Sequence, residues 1–178
     1  MNQNIKALLA TTALFFSSQT LASSGCAFED EQDGFIATCS EEKQEVILTG
    51  LVEAQTLVTE LDDFAEGYKE YQVNTAAITP FKSLKEPTEI IVIIGTWCPD
   101  CHRETPRFIR IMEELNNPNI KVTYIGIDRT KTDSKGLAAQ YEFSRIPTFI
   151  VMQKDEEIGR IVERPEVSLE IDLAKILN

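Results

Sequence analysis

Residues 90–94 are Ile or Val at every position, with no polar side chain among them. A run that short, that apolar and that rich in β-branched residues reads as a central strand buried on both faces. It stops at Gly95-Thr96-Trp97, which reads as a turn, and Cys98-Pro99-Asp100-Cys101 follows directly. A helix is expected from Cys98 to about Asn116, with Pro106 inside it as a source of a kink. A pair of cysteines therefore stands where a buried strand hands over to a helix.

The chain beyond that junction alternates elements. Residues 121–127 form another apolar strand, and 135–143 read as a short helix. Residues 148–152 and 158–162, joined by 153–157, read as an antiparallel hairpin. Ser168 is placed to cap a last helix whose apolar side includes Leu169, Leu173, Ile176 and Leu177. From residue 89 the order is β-α-β-α-β-β-α, which gives an α/β fold with a mixed central sheet and helices on both faces. Before it, residues 46–49 are β-prone and Gly50 ends them. Ala54, Leu57, Leu61, Phe64, Tyr68 and Tyr71 recur three and four apart, an apolar stripe on a helix expected over 51–71. Thr79-Pro80 and Glu86-Pro87 punctuate the link that follows.

The first residues read as a processing signal. A short polar start with Lys6 leads into an apolar run over 7–16, then small residues around Thr20 and Ala22. The expected division is residues 1–22 as signal peptide, 23–50 as an acidic N-terminal extension, 51–88 as a helix and linker packing on the main domain, and 89–178 as that domain. Export to a bacterial periplasm follows from the signal. The formal charge of −12 excludes a nucleic-acid partner. No later stretch has the apolar length of a membrane span.

Export makes disulfides possible, and the chain carries four cysteines. Cys26 and Cys39 flank an acidic segment near the expected mature N-terminus, and a structural disulfide between them is the first reading. A second, exchange-active disulfide is the alternative. Lipidation of Cys26, which follows Ser23-Ser24-Gly25, is a third reading, although that motif wants a branched apolar residue where Ser23 stands.

Cys98 and Cys101 carry a clearer chemical logic. The free N–H groups and positive dipole end of a helix start stabilise a thiolate at Cys98. Cys101, one turn on, lies close enough to attack the first sulfur after a substrate has bonded to it. A C-x-x-C is also half of a zinc site, but zinc needs two further ligands. Only His102, the distant N-terminal pair and carboxylates are on offer.

These features resemble the thioredoxin superfamily. Trp97-Cys-x-x-Cys101 is similar to its active site, Pro106 to the proline of its active-site helix, and Arg145-Ile146-Pro147-Thr148 to the segment holding its cis-proline. Gly159 in the hairpin fits as well. The resemblance covers residues 89–178 and implies a thioredoxin fold. It further implies a cis Ile146–Pro147 bond and a redox disulfide between Cys98 and Cys101. Trp97, Ile146 and Pro147 would then bind the peptide flanking a substrate disulfide, in the manner of strand addition. No cofactor is implied. The partners are disulfide- or thiol-containing proteins and a dithiol electron donor.

The chain departs from typical thioredoxins in places. Val92 stands where many carry a buried Asp that serves proton transfer, Pro99-Asp100 replaces Gly-Pro, and His102 follows the second Cys. The form resembles a branch of bacterial exported thioredoxin-like proteins. Asp100, Glu104 and Asp128 are the candidate substitutes for the missing acid, though each also reads as a solvated charge, and His102 as an ordinary helix residue. A carboxylate at Asp100 opposes the Cys98 thiolate, which points to a disulfide reductase. A disulfide oxidase or isomerase is the rival, and a copper-binding protein using Cys98, Cys101 and His102 is a weaker one.

Overall fold

A computed structural model describes residues 46–178. The expectations for the signal peptide, for Cys26 and for Cys39 fall outside the described residues. The first strand, β1 (Gly50–Val52), is followed by α1 (Ala54–Glu60), α2 (Asp62–Glu70) and α3 (Thr75–Ile78), then a 3-10 turn at Thr79–Ser83. Then come β2 (Thr88–Ile94), α4 (Pro99–Leu115), β3 (Ile120–Gly126), a 3-10 turn at Ala138–Gln140, β4 (Thr148–Gln153), β5 (Glu156–Val162) and α5 (Leu169–Leu177).

The strands form a 5-stranded sheet in the order β1-β3-β2-β4-β5. β2 and β3 run parallel, as a helical crossover demands, and the other neighbours are antiparallel. This is the mixed α/β sheet that the resemblance implies. β2 lies at its centre, and Ile90, Val92, Ile93 and Ile94 are fully buried. Side chains alternate across a strand, so Val92 shares a face with Tyr124 and Phe149. Phe108 of α4 packs on that face, 4.8 Å from the Phe149 ring and 6.5 Å from Tyr124. α5 covers the same face further along, where a Cβ on Gly159 would come within 2.9 Å of Ile176. Ser168 accepts from the Ile171 N–H, so the expected cap starts α5.

Several elements differ from their sequence reading. The helix expected over 51–71 is two helices after a strand. Leu51 and Val52 pair with Ile125 and Tyr124 of β3, and Leu61 is extended at φ −113. Asp62 and Asp63 then open α2, where acidic side chains favour a helix start. The apolar stripe survives the break, with Leu57 and Phe64 buried and Tyr68 and Tyr71 packed at its edge.

The strand expected over 46–49 is displaced to Gly50–Val52. Residues 46–48 instead bond to a side chain: Thr96 Oγ1 donates to the Val46 carbonyl at 2.6 Å and accepts from the Leu48 N–H at 3.2 Å. The helix expected over 135–143 is only the turn Ala138–Gln140. Gly136 takes a left-handed φ of 66, and the Asp133 carboxylate accepts from the Lys135, Leu137 and Ala138 N–H groups. Those N–H groups have no need of a helix. Leu137, Ala138, Tyr141 and Phe143 of this connection pack against the core without forming a regular helix. The hairpin turn is also tighter than read, with only Lys154 and Asp155, both left-handed, between β4 and β5.

Candidate active site

Cys98 is the N-cap of α4, with φ −97 and ψ 120, and Pro99 occupies the first turn. Proline suits that position because its fixed φ is helical and its missing N–H has no partner there anyway. The turn Gly95-Thr96-Trp97 closes through the Cys98 N–H to the Gly95 carbonyl at 3.0 Å, and the His102 N–H reaches the Cys98 carbonyl at 3.0 Å. Cys98 and Cys101 are both free thiols.

The two sulfurs have different surroundings. Cys98 keeps 7% of its surface exposed, whereas Cys101 keeps none. A hydrogen bond from the Cys101 thiol lowers the Cys98 pKa to about 6, against the opposing cost of burial, with help from the backbone N–H groups of Cys101 and Asp100. The Asp100 carboxylate pushes it the other way. Burial raises Cys101 far above the ordinary thiol range, and its bond to Cys98 adds to that. The Gly95 N–H also donates to the Cys101 sulfur at 3.4 Å. One sulfur is thus ionised near neutral pH while its neighbour stays a thiol.

The other candidates converge on the same spot. The Cys98 sulfur lies 3.5 Å from the Ile146 carbonyl, to which its thiol form donates. The Ile146–Pro147 bond is cis. Trp97 donates its indole N–H to the Ile127 carbonyl at 3.0 Å, and the Arg129 guanidinium lies over its ring at 5.0 Å. Gly95 is the floor of this arrangement: a Cβ there would sit 2.7 Å from Trp97 and 2.9 Å from Ile146. Cys98, Cys101, Trp97, Ile146 and Pro147 therefore form one cluster at the end of the sheet where β2 stops.

The candidate acids fare differently. Asp100 is ion-paired, not a free solvated charge: its Oδ1 accepts from Arg103 at 2.7 Å and from Arg164 at 3.1 Å. The Arg103 hydrogen bond leads in holding it below the usual carboxylate range. Asp128 is engaged in its own loop, where it accepts from the backbone and hydroxyl of both Thr130 and Thr132. Glu104 is buried rather than solvated. Its Oε1 accepts from Arg103 at 2.6 Å and Arg107 at 3.4 Å, and its Oε2 has no hydrogen-bond partner among the described residues. His102 spends its ring on the Thr96 carbonyl at 2.6 Å, on Asp63 at 3.6 Å and on the Phe64 edge. Among the described residues no cluster of three or more His, Cys, Asp or Glu is placed to hold a metal ion.

Thr96, Gly95 and Arg164 were not candidates on sequence. Gly95 carried a signal in its place at the strand end. Thr96 and Arg164 did not, because each acts on residues dozens of positions away.

Comparison with known proteins fits this geometry. A family model described as thioredoxin matches residues 52–174. An H-type thioredoxin of Brassica campestris is 28% identical over 96 residues, which are 53% of this chain and 73% of that protein. Oryctolagus cuniculus thioredoxin is 28% identical over 49% of this chain and 78% of its own length. In fold alone, the crystal structure of a Pseudomonas aeruginosa protein of unknown function is similar. Its TM-score is 0.50 at 20% identity, covering 68% of this chain and 83% of that one. With its sheet order, its Cys-bearing helix start and a family match over most of its length, the chain belongs to the thioredoxin family.

Proposed function

We propose that this chain is a disulfide reductase of exported proteins, working through Cys98 and Cys101. Family membership supports thiol–disulfide oxidoreductase chemistry in general. The observation that carries the reading is the split between the two sulfurs, with Cys98 at about 6 and Cys101 a buried thiol beside it. In the first step the Cys98 thiolate bonds to one sulfur of a substrate disulfide, and the other substrate sulfur leaves as a thiolate and takes a proton. In the second, Cys101 loses its proton and bonds to the Cys98 sulfur, releasing the second substrate thiol. Two electrons pass to the substrate, Cys98 and Cys101 end as a disulfide, and a dithiol donor restores them. Ile146, Pro147 and Trp97 would hold the flanking peptide, with the Ile146 backbone pairing as an added strand.

Net direction is argued from the thiolate. Strong oxidants have an attacking Cys pKa of about 3.5, and thioredoxin about 7; Cys98 at about 6 is nearer the reductant. The pairing of Asp100 with Arg103 and Arg164 weakens the repulsion expected from sequence. It is the observation that favours the second reading, an oxidase or isomerase. The reduced protein should accelerate insulin disulfide reduction with dithiothreitol as donor; no acceleration over dithiothreitol alone would sink the reading. The apolar N-terminal run supports export to the periplasm, where Cys26 and Cys39 would pair. Intact mass of the exported protein carrying Cys98→Ser and Cys101→Ser checks this: the expected loss is residues 1–22 and two hydrogens, and a lipid on Cys26 contradicts it.

A further inference from the structure

Asp100 lies between the two cysteines, so its charge acts on both. Arg103, on the same helix, cannot serve it fully. The Arg103 Nε is bonded to Glu104 at 2.6 Å while its NH2 group is bonded to Asp100 at 2.7 Å. One guanidinium is thus divided between two carboxylates. The second cation on Asp100 comes from the loop between β5 and α5, where Arg164 offers both Nε and an NH2 group to Oδ1, each at 3.1 Å.

The backbone of that loop is bent to make the contact. Glu163 has a left-handed φ of 58, and its N–H donates to the Pro147 carbonyl at 2.7 Å while its carboxylate pairs with Arg145 at 2.8 Å. A left-handed non-glycine residue is costly and persists only where its surroundings hold it. The corner Glu163-Arg164 is therefore fastened to the Ile146–Pro147 loop on one side and to the start of α4 on the other.

We propose that Arg164 is a positioning residue for the dithiol, cancelling the carboxylate that lies between the two cysteines and so shielding the Cys98 sulfur from it. This rests on the reading that Cys98 is the attacking sulfur. Asp100 is the charged group that acts on that sulfur; around it stand Arg103 and Glu104 from α4 and Arg164 from the last loop, with the Arg145–Glu163 pair beside Pro147 and Arg129 over Trp97. Among them Arg164 is the one that meets Asp100 from outside the helix, and it is 68% exposed, so its replacement leaves the core untouched.

The test follows the pH dependence of Cys98 alkylation by iodoacetamide in the reduced full chain, read by peptide mass spectrometry. Arg164→Gln should raise the midpoint, with a roughly two- to threefold lower ionisation constant at low ionic strength, the scale of one exposed ion pair. Added salt should shrink the change. Arg164→Lys, which keeps the charge, should stay near the parent midpoint. In an Asp100→Asn background the shift from Arg164→Gln should be smaller, because the carboxylate that holds the guanidinium beside the dithiol is gone. An unmoved midpoint in Arg164→Gln overturns the proposal. So does an equal shift in the Asp100→Asn background, or a shift in Arg164→Lys as large as in Arg164→Gln. A parent chain with no Cys98 thiolate at neutral pH is a separate outcome, which overturns the assignment of Cys98 as the attacking sulfur.

Discussion

Cys98→Ser is expected to remove insulin reduction down to the uncatalysed rate, and Cys101→Ser to stop turnover while leaving capture intact. The asymmetry follows from the helix start. Cys98 is the sulfur with residual exposure, backbone N–H groups around it and an ionised form near neutral pH. A serine hydroxyl has no accessible anion there and cannot form the mixed disulfide. Cys101 is wholly buried and held as a thiol, so its task comes after the substrate has bonded. Without it, a Cys98–substrate disulfide should accumulate and survive non-reducing gels. Normal turnover by Cys101→Ser, or capture of substrate on Cys101, would contradict the assignment.

The second large effect is one of pH. With Cys98 at about 6, its alkylation rate should rise about tenfold between pH 5 and 7 and flatten above, following the thiolate fraction. At pH 7 the thiolate should exceed that of an unshifted thiol, at 9.0, by on the order of a hundredfold. The sign is set by the Cys101 hydrogen bond, which favours the charged form and outweighs burial, which disfavours it. Cys101→Ser should therefore keep part of the effect, since a hydroxyl also donates, whereas Cys101→Ala should move the midpoint upward. A rate still climbing steeply at pH 8 in the parent chain would mean that Cys98 is not the ionised sulfur.

Local pattern made much of this legible, and long-range pairing did not. The β-branched run ending at Gly95, and Ser168 before an apolar helix, each carry their structure in neighbouring residues, and the strand and cap appear where expected. The segments that moved depend on distant partners. Residues 46–49 read as a strand, but the Thr96 hydroxyl takes the Val46 carbonyl and the Leu48 N–H across 50 and 48 positions of sequence. Residues 135–143 had helical composition, yet Gly136 and the Asp133 carboxylate satisfy the backbone without a helix. At the site, the dithiol and Trp97 were visible as a motif, whereas the charge state around it was not. Asp100 reads as a bare repulsion on sequence; in the fold it pairs with Arg103 one turn along the helix and with Arg164, which folds back from 64 positions away.

The direction in which the dithiol passes electrons is tested most directly by its reduction potential. The measurement is equilibration with glutathione redox buffers in the full chain carrying Cys26→Ser and Cys39→Ser, so that only Cys98 and Cys101 respond. A reductant should give a value nearer the thioredoxin end, about −270 mV, because a thiolate with a pKa of about 6 is only moderately stabilised. A value close to the strong-oxidant end, about −120 mV, would contradict the account and make the chain an oxidase.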